Sequence, residues 1–69
     1  MNEESLNMQI RKFLKKVGIQ SQREIENAIR AGIDSGQINA GDELQANMKL
    51  EIEALNLSFT INDGIKIEP

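Results

Sequence analysis

Glu51 and Glu68 flank Ser58 when the last third of the chain is folded as a sheet. Two carboxylates about a hydroxyl suit general acid–base hydrolysis. In that register the pair lies two strands apart, about 10 Å at roughly 4.8 Å per strand. Retaining glycosidases hold their carboxyls about 5 Å apart, and inverting enzymes up to about 9.5 Å. The pair falls outside both ranges, on a flat face with nothing to hold a substrate, so it reads as salt-bridged, solvated surface. The other tools of catalysis are missing. There is no His, Cys, Tyr or Trp, which removes the usual general base, the thiolate nucleophile and the imidazole metal ligand. No Gly-x-Ser-x-Gly or glycine-rich phosphate loop occurs. The expectation is a protein that is not an enzyme and uses neither cofactor nor metal.

Gly36 to Leu44, GQINAGDEL, has the rhythm of two other sites. Aligned as a calcium loop, it puts Ala31 and Ile33 where oxygen ligands belong. As a biotinyl-type turn it lacks the target lysine. It is expected to be a surface loop anchored by Ile38 and Leu44.

Lys15 to Arg30, KKVGIQSQREIENAIR, outlines a helix-turn-helix, and Arg11, Lys12, Lys15 and Lys16 could grip phosphates. The helix that would enter the groove carries Glu24, Glu26 and Asp34 beside Arg23 and Arg30, so its exposed surface is net acidic. The four cations also complement the C-terminal end of a helix dipole without any ligand. Weak nucleic-acid binding is therefore the alternative reading.

The chain as a whole is acidic. Residues 1–36 carry six basic and five acidic side chains, and residues 37–69 two and six, for a net charge of −3. Such a chain has no general attraction to phosphate. At 69 residues it is at the small end of what folds alone, with no cysteine to staple it. No apolar run approaches a membrane span, and MNEESLNM is no signal peptide. A cytoplasmic protein with no membrane partner is expected.

The elements that position these groups follow from periodicity. Leu6, Ile10, Phe13, Leu14 and Val17 form a helical stripe over about residues 3–17, with Gly18 as a left-handed stop. Ser21 and Glu24 form a capping box for a second helix, residues 22–35, which buries Ile25, Ala28, Ile29 and Ile33 and ends at Asp34-Ser35-Gly36. Residues 36–47 read as loop. From Met48 the period changes to two. A loop at Glu53–Asn56 pairs Ile52 with Leu57, Leu50 with Phe59 and Met48 with Ile61. An Asn62-Asp63-Gly64 turn then pairs Ile61 with Ile65 and Phe59 with Ile67. The fold class expected is α+β, ααβββ: two helices packed on one face of a three-stranded antiparallel meander spanning residues 48–68, in a single small domain.

A protein-binding or self-associating module fits this outline best. The edge strand is protected only by Lys49, Glu51 and Glu53, and Met8 lies on the solvent side of its helix with no core to fill. The candidate interaction surface is Met8, Arg11, Lys12, Lys15, Lys16, Lys49 and Glu51, facing another protein or a second copy.

MNEESLNMQIRKFLKKVGIQSQREIENAIR closely resembles a family of short bacterial proteins classed as a domain of unknown function. The rest of the chain is similar more loosely, through MKLEIEAL and NDG, and departs most at NAGDELQAN. The resemblance implies a bacterial cytosolic protein and carries no activity, cofactor or site residue.

Overall fold

The computed structural model describes all residues, Met1–Pro69. One helix, α1, spans Glu3–Asp34. Two antiparallel strands follow, β1 (Glu43–Ile52) and β2 (Leu57–Lys66), joined through a single 3-10 turn at Glu53–Leu55. The ααβββ expectation is corrected: one helix replaces two, and a two-stranded sheet replaces the meander. The chain divides into two compact units, Met1–Gln37 and Ile38–Pro69.

The helix does not break at Gly18, and no helix-turn-helix forms. Of the glycines, only Gly36 and Gly41 take positive φ. One glycine inside a helix costs about 1 kcal/mol relative to alanine. A break there would leave up to four amides and four carbonyls seeking new partners. Strong helix formers lie on both sides, and Val17, Ser21 and Ile25 continue one stripe in steps of four. Ser21 is half-buried inside the helix rather than capping one.

Both ends of α1 carry caps of their own. The Asn2 side chain accepts from the Ser5 amide at 3.0 Å, while Glu3 and Glu4 occupy the positive end of the dipole. At the other end Gly36 has φ +77°. The Gln37 amide donates to the Gly32 carbonyl at 2.9 Å and the Gly36 amide to that of Ile33 at 3.1 Å. This is a Schellman motif, and it explains why a glycine is needed there.

In the second unit the ladder is continuous from Glu43↔Lys66 to Ile52↔Leu57. The expected pairs Met48–Ile61, Leu50–Phe59 and Ile52–Leu57 all occur. The Asn62-Asp63-Gly64 turn does not. β2 runs straight through it, because β1 begins five residues earlier than Met48 and offers Glu43–Asn47 as backbone partners for Asn62–Lys66. Ladder pairing satisfies those amides and carbonyls without the cost of a second reversal. The pairing tapers off where the Ile67 amide donates to the Asp42 carbonyl at 2.8 Å and the Gly41 amide to that of Ile67 at 2.6 Å.

Candidate interaction surface

With α1 unbroken, the two expected helical stripes become one. It runs Leu6, Ile10, Phe13, Val17, Ser21, Ile25, Ala28 and Gly32, flanked by Leu14 and Ile29, while Ile33 falls in line with Lys15 on another side of the helix. Gly32 is buried, and Val17, Ser21 and Ile29 are half-buried. Leu6, Ile10, Phe13, Leu14, Ile25 and Ile33 are exposed.

The sheet presents a second apolar surface. Strand alternation sends Leu44, Ala46, Met48, Leu50 and Ile52 of β1 and Leu57, Phe59, Ile61 and Ile65 of β2 to one face, with Asp63 as its only polar member. The end near residue 44 is partly covered: Leu44, Ala46 and Ile65 are half-buried and Ile67 is buried. The end near the 3-10 turn is open, with Phe59 53% and Ile61 56% exposed and Met48, Ile52 and Leu57 exposed beside them. The opposite face is polar, formed by Glu43, Gln45, Asn47, Lys49 and Glu51 against Ser58, Thr60, Asn62, Gly64 and Lys66. The apolar side chains are thus gathered on one face of the sheet, and the polar ones apart from Asp63, with Gly64, on the other.

The side chains singled out in the sequence lie elsewhere. Lys12, Lys15 and Lys16 line a shallow groove along one side of α1, together with Ile19, Gln20 and Arg23. Arg11 is not part of that lining, and Met8 is 70% exposed without an apolar neighbourhood of its own. Lys49 and Glu51 meet at 3.7 Å on the polar sheet face, an exposed pair that contributes at most about 1 kcal/mol. Glu51 stands opposite Ser58 as expected. With no third strand, however, Glu68 lies ten residues along the chain from Ser58, about 30 Å at the strand rise. The carboxylate pair is not assembled.

Among known families, the model described as "Family of unknown function (DUF6494)" matches residues 1–68. The chain belongs to that family. No curated protein and no solved structure gives a match. The DUF6494 match takes in α1 and both strands, so both apolar surfaces are parts of one family unit. In this DUF6494 chain no group of three or more carboxylate, His or Cys side chains is placed to hold a metal ion. Every buried side-chain nitrogen or oxygen has a hydrogen-bond partner.

The residues that sequence reasoning missed are Phe59, Ile61, Met48, Ile52 and Leu57 on the sheet, with Leu6, Ile10 and Phe13 on the helix. Their alternation was legible, but it was read as core rather than as exposed surface. The signal that could have separated them is the two-residue rhythm of Leu44-x-Ala46-x-Met48. It lengthens β1 and takes from the Asn62-Asp63-Gly64 segment its reason to turn.

Proposed function

We propose that this protein works by binding, as a self-associating or protein-interaction module, and that it is not a catalyst. The observation that carries the reading is the open apolar ladder Met48–Ile61, Leu50–Phe59 and Ile52–Leu57 on a sheet of only two strands. A two-stranded sheet whose apolar face stays open to water is marginal. Covering one large side chain contributes about 1.5–3 kcal/mol, so a partner surface laid on this ladder stabilises the sheet and binds in the same step.

Light scattering after size exclusion, over a wide range of protein concentration, tests it. The expected result is a mass above that of one chain that falls on dilution, and a lower mass when Phe59→Ser and Ile61→Ser are combined. A single-chain mass at every concentration, with the double variant melting at the wild-type temperature, would show the ladder to be idle and end the reading.

One observation favours a second reading. The unbroken helix brings Arg23 into the same groove as Lys12, Lys15 and Lys16, making a line of cations suited to a phosphate backbone. Weak nucleic-acid binding would then use one side of α1 rather than a helix-turn-helix.

A further inference from the structure

The stripe on α1 has a property that its composition alone does not require. Leu6, Ile10, Phe13, Val17, Ser21, Ile25, Ala28 and Gly32 follow one another in steps of 4, 3, 4, 4, 4, 3 and 4. The order of steps is the same in both directions, with its midpoint at position 19. When two copies of such a helix are laid antiparallel about that midpoint, every stripe residue meets a stripe residue. Leu6 then faces Gly32 of the second copy, Ile10 faces Ala28, Phe13 faces Ile25 and Val17 faces Ser21.

Size decides between directions. A parallel pair sets each residue against itself, with Phe13 on Phe13 at one level and Gly32 on Gly32 at another. That arrangement overfills the N-terminal half and leaves voids in the C-terminal half. The antiparallel pair matches larger side chains with smaller ones at most levels, and so fills the seam evenly. Charge points the same way. The N-terminal half, residues 3–18, carries four cations and two carboxylates, and residues 19–34 carry two cations and three carboxylates. Antiparallel packing lays the positive half along the negative half, whereas parallel packing lays like along like. The two helix dipoles also oppose one another.

The stripe supplies a substantial part of the area a dimer needs. Leu6, Ile10, Phe13, Leu14 and Ile25 are between 37% and 53% exposed. At roughly 150–200 Å² per large side chain they leave about 350–450 Å² of apolar surface open on each copy. A stable dimer buries about 800 Å² per partner, polar rim included.

We infer that α1 pairs with α1 of a second copy of this chain, antiparallel, about a twofold axis beside position 19. This rests on the self-association reading and gives it a partner and a register. The stripe contributes the seam, and the face carrying Met8, Ile19 and Arg30 points away from it.

The test is a spin-label distance series on the full chain. The protein has no cysteine, so Met8→Cys, Ile19→Cys and Arg30→Cys each add one label, on a face that takes no part in the seam. With helix axes 8–10 Å apart, labels on the two outer faces lie roughly 30 Å from each other at Ile19. At Met8 and at Arg30 the antiparallel arrangement adds about 33 Å along the axis, for a separation of roughly 45 Å. Mixing Met8-labelled with Arg30-labelled chains should bring back the short distance. Equal distances at all three sites would mean a parallel pair. A dimer whose three distances bear no relation to distance from position 19 would mean association through the sheet. Either result overturns the register while leaving self-association standing. A single-chain mass at every concentration, with no inter-label signal, overturns both.

Discussion

Leu50 and Phe59 stand directly opposite one another across the two strands, yet Leu50 is half-buried while Phe59 is open to water. Cross-strand pairing places them together but does not cover Phe59. A fully covered Phe→Ala replacement costs about 3–5 kcal/mol, whereas an exposed surface replacement costs about 0.5 kcal/mol or less. Phe59→Ala is expected near the upper range at protein concentrations where the chain associates, with the loss shrinking on dilution. Thermal melts of wild type and variant at several concentrations check this. A small loss that does not vary with concentration would mean that Phe59 remains in solvent.

Gly18 and Gly36 should respond to alanine in opposite directions. At Gly18 the helix is regular and an added Cβ meets nothing within 4 Å, so Gly18→Ala should stabilise by about 1 kcal/mol. At Gly36, φ is +77°, and Gly36→Ala should cost about 1–2 kcal/mol through the left-handed penalty. Chemical denaturation followed by helical circular dichroism measures both. Destabilisation by Gly18→Ala would restore the turn that the sequence suggested there.

That pair of glycines also shows how far the sequence could be read. Asp34-Ser35 before Gly36 supplies a natural stop, so the end of α1 was legible. Gly18 has Lys15, Lys16 and Val17 before it and a capping box after it, which is the local signature of a break. The break fails because Val17, Ser21 and Ile25 keep the stripe intact across it, and a single helical glycine is less costly than two new helix ends. In the sheet, Met48–Ile61, Leu50–Phe59 and Ile52–Leu57 were legible from alternation and loop length alone. The Asn62-Asp63-Gly64 segment was not, since its turn chemistry is strong and only the long-range partner strand Glu43–Asn47 overrules it. Apart from Met8, the interaction residues singled out were charged ones, because exposure can be read from polarity. Apolar residues left open by the fold cannot be found that way.

The cation line on α1 offers a separate check. If Lys12, Lys15, Lys16 and Arg23 bind phosphates, the logarithm of affinity for duplex DNA should fall with the logarithm of salt at a slope of about −2 to −4. Lys15→Glu with Lys16→Glu should flatten that slope by about 2. An amide NMR titration at low salt provides the reading. No movement of the Lys12–Arg23 amides would remove the nucleic-acid alternative and leave these side chains as a solvated helix face.

Gly64 distinguishes strand from turn most sharply. It has no positive φ, and it pairs with Gln45 inside the ladder. A Cβ added there would lie 2.6 Å from Glu43 Oε1, the far end of a flexible side chain that can rotate into water. Gly64→Ala should therefore stabilise by about 0.5–1 kcal/mol, chiefly by restricting the unfolded chain. Combined with Glu43→Ser, which removes the crowded carboxylate, the gain should persist or grow. Had Asn62-Asp63-Gly64 formed the hairpin turn, Gly64 would sit in the left-handed region and alanine would cost about 1–2 kcal/mol in either background. Urea denaturation of the two variants gives the sign directly. A loss in both would reinstate the turn and take Glu43–Asn47 out of the ladder, and with it the length of β1 on which the apolar face depends.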